Sequence, residues 1–151
     1  IKKLILNENL RSFIKSLDVD EINLWRDPGL EWLGYRIIRP NMNDGYPATC
    51  KNWGAAAGVV SVWLPIVGFS EQETLALVPG SHKKEYEKYM PENTKFIPNE
   101  FRFAGDMKEL NLVRPNLKKG EIIIYHPATL HTEEVYDSKV TRLNLEFRFI
   151  T

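Results

Sequence analysis

The sequence predicts a mainly β fold, a sandwich or barrel with a short N-terminal helix and few flanking helices. Several short apolar runs, rich in β-branched and aromatic residues, are bounded by glycine and proline, which is typical of antiparallel strands. The run 141–149 alternates polar and apolar residues with a period of two, as a strand does when its two faces differ. Clear helical periodicity is confined to one segment near the start, so the pattern does not favour alternating α/β units.

The individual elements follow from local patterns. A short amphipathic helix is predicted over 7–17, because apolar residues recur at helical spacing behind Asn7, a favoured N-cap residue. Strands are predicted over the segments 35–39, 59–67, 74–78 and 121–125. Ser81 follows a Pro-Gly turn and is expected to begin a short helix that ends at Tyr89. The segment 90–111 lacks periodicity and is long enough to suggest a lid or substrate loop.

The last predicted strand has a polar face formed by Arg142, Asn144, Glu146 and Arg148. The alternation alone favours a face turned to solvent. A second interpretation points Arg142 into a pocket, where its planar guanidinium would clamp a carboxylate in bidentate fashion. A third gives Arg142 an ion pair with Glu146 or Glu133. The residues themselves leave these three alternatives open.

Composition excludes some classes of partner. Twenty basic and twenty acidic residues cancel, so nothing in the charge favours nucleic acid or an anionic membrane. A single cysteine forms no internal disulfide and suits a reducing, cytoplasmic location. No run approaches the roughly 18 apolar residues of a membrane helix, and no secretory leader is recognisable. The length suits one domain over 1–151, and because the chain starts at Ile1 we expect some native N-terminal sequence to be missing. The oligomeric state is not predicted.

Four features in a fixed order resemble a known family. They are the Val-Pro-Gly-Ser-His-Lys run at 78–83, the Gly-Glu-Ile-Ile-Ile-Tyr-His run at 120–126, His131, and Arg142 eleven positions later. Together they resemble the phytanoyl-CoA dioxygenase family, from about Tyr35 to Phe149. The likeness is strongest to bacterial members associated with surface-polysaccharide and small-molecule pathways. These are Fe(II)/2-oxoglutarate oxygenases built on a double-stranded β-helix, a cupin-like jelly roll.

The resemblance implies roles for individual residues. His131 corresponds to an iron ligand, and Arg142 to the arginine that pairs with the remote carboxylate of 2-oxoglutarate. Lys51 and Thr141 are placed with Arg142 as cosubstrate-binding residues. The activity implied is hydroxylation of a small organic substrate, coupled to decarboxylation of 2-oxoglutarate to succinate. The structural alternatives are a strand histidine bonded to a neighbour for His131 and a solvated side chain for Lys51.

The metal motif of that family is missing from this sequence. Iron oxygenases of this kind hold Fe(II) with two histidines and one carboxylate, two of which come from a His-x-Asp or His-x-Glu before the strand at 59–67. Between Gly45 and Phe69 the chain has no histidine and no carboxylate. The expected ligand positions are Cys50 and Asn52, or Ala48 and Cys50, depending on register, and neither pair completes a triad with His131.

The remaining histidines, His82 and His126, are not expected to converge with His131, so an iron site built from all three is not predicted. Two hypotheses about the function therefore remain. The first hypothesis is a working dioxygenase with Fe(II) held by His131 and unconventional partners. The second is a pseudoenzyme of the same fold, a ligand-binding or assembly module for a small-molecule or carboxylate ligand.

Overall fold

The computed structural model describes residues 7–16, 23–24, 26–27, 30–31, 33–42, 49–51, 59–71, 73–89, 100–133 and 139–150. Within these residues it has one α-helix and twelve strands. The elements are α1 (Glu8–Lys15), β1 (Asn23–Leu24), β2 (Arg26–Asp27), β3 (Leu30–Glu31), β4 (Leu33–Ile38), β5 (Thr49–Lys51), β6 (Val59–Val67), β7 (Ala76–Leu77), β8 (Lys88–Tyr89), β9 (Glu100–Phe103), β10 (Ile123–Tyr125), β11 (His131–Thr132) and β12 (Arg142–Ile150).

Two five-stranded antiparallel sheets make up most of the described structure. The first has the order β1-β12-β6-β10, and β4 also pairs with β12. The second has the order β7-β11-β5-β9-β8, while β2 and β3 pair only with each other. Strand β12 is therefore central to the first sheet, and β11 lies in the second between β7 and β5. The mainly β fold with few helices is confirmed.

The first sheet has two different faces. On one face Leu10 of α1 packs with Val62, Phe147 and Phe149, so the helix covers this side of the sheet. On the opposite face, here called the inner face, Trp63 packs with Leu75, Ile123 and Tyr125, and Leu77 of the second sheet joins that cluster. The inner face of the first sheet is consequently closed off from solvent by the second.

The predicted elements agree with the structure where the pattern was strongest. The strand over 59–67 is confirmed over its whole length as β6, and those over 35–39, 74–78 and 121–125 appear as β4, β7 and β10 with altered ends. The helix begins behind Asn7, whose Oδ1 accepts hydrogen bonds from the backbone N–H groups of Asn9 and Leu10 at 3.0 and 3.2 Å. Residues 17–20 lie outside the described residues, so the predicted end at 17 is not tested.

Two local predictions are wrong. The helix expected from Ser81 to Tyr89 is a single 3-10 turn over Ser81–Lys83, after which the chain extends into β8. The Ser81 hydroxyl does not cap it, because Oγ accepts the backbone N–H of Leu130 at 2.8 Å. The irregular loop expected over 90–111 contains β9 and a 3-10 turn at Met107–Glu109 in its described part; residues 90–99 lie outside the described residues.

Within the described part of the chain, no helix has the length and apolar character needed to cross a bilayer.

Gly68 lets the end of β6 approach the start of β12 closely. Its φ of +69° lies in the left-handed region, and a Cβ built there would lie 2.0 Å from the carbonyl oxygen of Thr141 and 3.0 Å from the Cα of Arg142. A side chain at position 68 would therefore push away the backbone that carries Arg142.

We predict that Gly68→Ala lowers the free energy of unfolding by about 3 kcal/mol or more, because backbone strain and a backbone clash add. The matched control is Gly120→Ala, since Gly120 has a φ of +92° but nothing within 4 Å of its Cβ position. That control should cost only the left-handed penalty of about 1–2 kcal/mol. Urea unfolding of both variants measures the difference, and equal losses would contradict the close approach.

Candidate functional site

The polar residues of β12 lie on the inner face of the first sheet. Arg142 is 1% exposed, Asn144 is 0% exposed and Arg148 is 6% exposed. The orientation favoured by alternation alone, with this face in solvent, is therefore wrong. Alternation shows only that two faces differ: here the apolar face packs on α1 at Phe147 and Phe149, and the polar face lies on the side of Trp63, where Leu77 of the second sheet packs.

Arg142 is held by backbone carbonyls on two sides. Its Nη1 donates to the carbonyl oxygen of Glu73 at 2.5 Å, and its Nη2 donates to the carbonyl oxygen of Glu133 at 3.2 Å. The guanidinium carbon also lies 5.7 Å from the ring centre of Trp63. The Nε atom is buried and has no hydrogen-bond partner among the described residues. The guanidinium is thus fixed in place, while its Nε–H remains available to donate a hydrogen bond.

Glu133 supplies the carboxylate nearest to Arg142. It is 4% exposed, and its Oε1 accepts a hydrogen bond from Trp63 Nε1 at 2.7 Å and lies 3.7 Å from Arg142 Nη2. Its Oε2 is in ion-pair contact with Nε of Arg36. Of the alternatives given by the sequence, an ion pair between Arg142 and Glu133 is therefore present, whereas the contact of Glu146 is with Arg36 at 3.9 Å.

The cluster shifts the titration of its members. Burial raises the pKa of Glu133, which the Arg36 guanidinium opposes and the Glu146 carboxylate reinforces. Burial likewise lowers the pKa of Arg142, and the Glu133 carboxylate opposes that effect. Burial, followed by the charge of Glu146, raises the pKa of Tyr125 well above its ordinary value. These shifts show that desolvation is the dominant cost of placing charges here.

His131 lies beside this cluster in β11. It is 3% exposed, its Nδ1 lies 2.7 Å from the carbonyl oxygen of Thr129, and its ring packs edge-on against Tyr125 at 5.0 Å between ring centres. A carbonyl only accepts, so Nδ1 carries the proton and the lone pair of the neutral ring is on Nε2. That tautomer is the one in which histidines commonly bind metals, and it is equally that of a hydrogen-bonded core histidine.

The other residues assigned by resemblance are placed only in part. Thr141 is exposed and directly precedes β12. For Cys50 and Lys51 the backbone alone is described, within β5, where Thr49 lies directly opposite His131. Ala48 and Asn52 lie outside the described residues. The structure therefore brings β5, the strand of the expected metal motif, next to His131, and the cosubstrate roles of Lys51 and Thr141 stay predictions.

Comparison with protein-family models finds one that covers most of these elements. The phytanoyl-CoA dioxygenase (PhyH) model matches residues 45–142, which is more than half of the chain. The chain belongs to the PhyH family. This is a family of iron- and 2-oxoglutarate-dependent oxygenases, and the matched segment contains β5, His131 and Arg142. A comparison with curated proteins finds no match.

Three solved structures have a fold similar to that of this chain. The apo form of the non-haem monooxygenase ThoJ has a TM-score of 0.59 and 16% identity over 86% of this chain, and EvdMO1 has a TM-score of 0.64 and 15% identity over 99%. The epimerase SnoN, solved with Fe3+, alpha-ketoglutarate and nogalamycin RO, has a TM-score of 0.53 and 13% identity over 99%. The chain spans 46%, 32% and 75% of those three chains, respectively. At these identities the likeness concerns the fold.

The described residues of this PhyH member do not fit the iron centre of the family. His131 has the tautomer of a ligand, but no group of three or more histidine, cysteine or acidic side chains able to hold a metal ion occurs among the residues that the structure describes. The strand opposite His131 has the sequence Thr49-Cys50-Lys51. A lone thiolate would favour softer metals over Fe(II). Among the residues that the structure describes, a metal-binding group of two histidines and a carboxylate around His131 is therefore not found.

Several residues of the site were not identified from the sequence. Arg36 of β4 pairs with Glu133, and Trp63 donates a hydrogen bond to it. Asn144 was noted only as part of a polar face, yet both atoms of its side-chain amide are buried without a partner among the described residues. Buried amides without partners are rare in proteins. The position of Glu133 two residues after His131 was the one available signal, because alternate residues of a strand share a face.

We predict that Arg142→Met lowers the free energy of unfolding by about 3–5 kcal/mol, since it leaves the Glu133 carboxylate buried with one counter-charge fewer. The double variant Glu133→Leu/Arg142→Met should recover a large part of that loss, because neither charge then remains in the interior. Urea unfolding of the two single variants and the double variant gives the coupling energy. A coupling near zero would mean that the pair does not interact energetically.

Two further histidines form a stacked pair at the surface. The rings of His82 and His126 stack with centres 5.1 Å apart, and His126 Nδ1 accepts the backbone N–H of Ala128 at 3.1 Å. Burial lowers the pKa of His126 from its ordinary value of 6.5, and the charge of His82 lowers it further. At neutral pH His126 is therefore uncharged and available as the acceptor for Ala128.

We predict that His82→Gln raises the pKa of His126 toward its ordinary value, because one of the two causes of the shift is removed. Lys83→Gln is the matched control, since Lys83 is an exposed neighbour in the same 3-10 turn. Proton NMR titration of the His126 ring between about pH 4 and 8 measures both variants. An unchanged His126 pKa in His82→Gln would show that the stacked ring has no electrostatic effect.

Proposed function

We propose that this PhyH-family chain is a ligand-binding or assembly module that does not run the iron chemistry of its family. The observation that carries this proposal is the engagement of Arg142 by the chain's own carboxylate, Glu133, at 3.7 Å. In a working member the arginine would meet a carboxylate of the cosubstrate. Here an internal acid already balances the guanidinium charge.

The chemistry of the neighbouring strand supports the same proposal. Iron(II) in this kind of site needs a second histidine and a carboxylate close to His131. The backbone opposite His131 belongs to Thr49, and neither Cys50 nor Lys51 is a ligand of that type.

The ligand we propose is a small polar molecule, held by hydrogen bonds between the two sheets. The amide of Asn144 and the Nε of Arg142 are buried polar groups without partners among the described residues. Such groups carry a desolvation penalty of about 1–3 kcal/mol each, which a bound ligand or water would offset.

We further propose that the two sheets are the halves of a double-stranded β-helix, formed by residues 1–151 as one domain in the cytoplasm.

The second candidate function is 2-oxoglutarate-dependent hydroxylation of a small organic substrate. Two observations favour it: His131 has its Nδ1 bonded to a carbonyl, which directs the Nε2 lone pair away from that contact, and the PhyH family model extends through Arg142. In this candidate Fe(II) would have His131 and ligands outside the described residues, and Arg142, with Lys51 and Thr141, would bind 2-oxoglutarate.

The two candidates differ in an anaerobic titration of the purified chain with Fe(II), followed by addition of 2-oxoglutarate and oxygen. We expect no tight Fe(II) binding by calorimetry and no succinate release by mass spectrometry, because the sequence between Gly45 and Phe69, where the family's second histidine and carboxylate are expected, contains neither. His131→Ala is the matched control and should be indistinguishable from the parent chain. Stoichiometric iron with succinate release, both lost in His131→Ala, would establish the oxygenase instead.

A further inference from the structure

We propose that Glu133 is a built-in competitor at the carboxylate-binding edge of Arg142, and that it determines which ligands this arginine can accept. The inference deepens the proposed function, because it concerns the ligand chemistry of the same interior site. It predicts that an external carboxylate binds Arg142 weakly in the natural chain and much more strongly once Glu133 is removed.

The geometry of the guanidinium is the first step. Nε and Nη2 form one edge of an arginine head group, and that edge suits the two oxygens of a single carboxylate. The backbone contact to Glu73 uses Nη1, on the other side. On the Nε/Nη2 edge, Nε has no partner among the described residues, and Nη2 makes one long hydrogen bond of 3.2 Å to the Glu133 carbonyl. The edge therefore retains capacity for a carboxylate.

The position of Glu133 is the second step. Its Oε1 lies 3.7 Å from Nη2, which is ion-pair distance but beyond a normal N–H···O hydrogen bond. The same oxygen accepts the shorter bond from Trp63 at 2.7 Å, and Oε2 contacts Arg36. Glu133 thus places its negative charge beside Nη2 of Arg142, while its hydrogen bonding is directed to Trp63.

The consequence concerns specificity. An external carboxylate at this edge would sit next to the Glu133 carboxylate in a desolvated interior, where like charges repel strongly. Removing the Glu133 side chain would delete that repulsion, leave Arg142 without its counter-charge, and open space of about the size of acetate. The interior site around Arg142 is accordingly selective against anionic ligands, even though it contains a buried arginine.

The test uses Glu133→Ala with acetate as the probe, followed by thermal unfolding. Glu133→Ala should unfold at a lower temperature than the parent chain, and about 0.1 M sodium acetate should raise its Tm by about 3–6 °C in a saturable way. Sodium chloride at equal ionic strength controls for screening, and neutral acetamide controls for shape. The parent chain should show no acetate-specific rise, since Glu133 occupies the site.

Two further variants assign the effect to Arg142. Glu146→Ala removes another acid of the same face, one that lies 3.9 Å from Arg36, and because it leaves Glu133 beside Arg142 it should show no acetate-specific rise. Glu133→Ala/Arg142→Lys keeps the charge but loses the planar fork, so the acetate effect should fall at least about tenfold in apparent affinity.

The outcomes that overturn the proposal are distinct. They are an acetate effect of equal size in the parent chain, no acetate-specific effect in Glu133→Ala, or an undiminished effect when Arg142 is replaced by lysine. If Glu133→Ala does not fold in plain buffer, refolding yield with acetate against chloride becomes the measurement, and equal yields overturn the proposal. None of these experiments contains iron, so their failure is separate from succinate release, which tests the proposed function.

Discussion

The structure depends on keeping several charged groups inside a pair of sheets that exclude water. Moving one charge out of water costs several kcal/mol even after relaxation of the protein, whereas a pair about 4 Å apart returns only about 4 kcal/mol at an effective dielectric constant of about 20. Arg142 and Glu133 are 1% and 4% exposed, so their mutual attraction alone does not offset the cost of burying both charges. What makes the arrangement tolerable is the set of additional hydrogen bonds around them, from Trp63 and to the backbone carbonyls of Glu73 and Glu133.

The fold supplies these partners from separate parts of the chain. Trp63 comes from β6, the Glu73 carbonyl from the segment after it, Glu133 from the end of β11 and Arg142 from the first position of β12. The close approach at Gly68 joins two of these segments, because it brings the end of β6 against the backbone of Thr141 and Arg142. The site is thus a property of the sheet pairing, and its integrity depends on backbone positions that carry no charge themselves.

The sequence predicted the elements that have a long apolar run or a local capping signal. The nine residues of β6 were correct, and so was the helix behind Asn7, because its cap and apolar spacing are local signals. The helix from Ser81 was wrong, since the hydroxyl that would have capped it bonds a backbone group 49 positions away. Alternation could not predict that the polar face of β12 points inward, because the strands that cover this face belong to the second sheet.

The sequence also predicted part of the candidate site. The order of four features, of which His131 and Arg142 are the last two, indicated the family, and the structure adds that β5 pairs with β11 at His131. The sequence offered Glu133 and Glu146 equally as ion-pair partners of Arg142, and only the three-dimensional structure distinguishes them. Arg36 could not have been assigned at all, because its pairing with Glu133 crosses from the first sheet to the end of β11.

Among the contacts of the cluster, the link between Glu133 and Arg142 is the one that a ligand could most readily replace. Glu133 keeps Trp63 and Arg36 as partners if it moves slightly away from Arg142, and Arg142 keeps its two carbonyl acceptors. At 3.7 Å the pair gains charge attraction without a normal hydrogen bond. A ligand that offered Arg142 a better acceptor while remaining neutral would avoid repulsion from Glu133. Hydroxyl and amide groups meet both conditions. The amide of Asn144, on the same face of β12 and without a partner among the described residues, offers such a ligand a donor and an acceptor of its own.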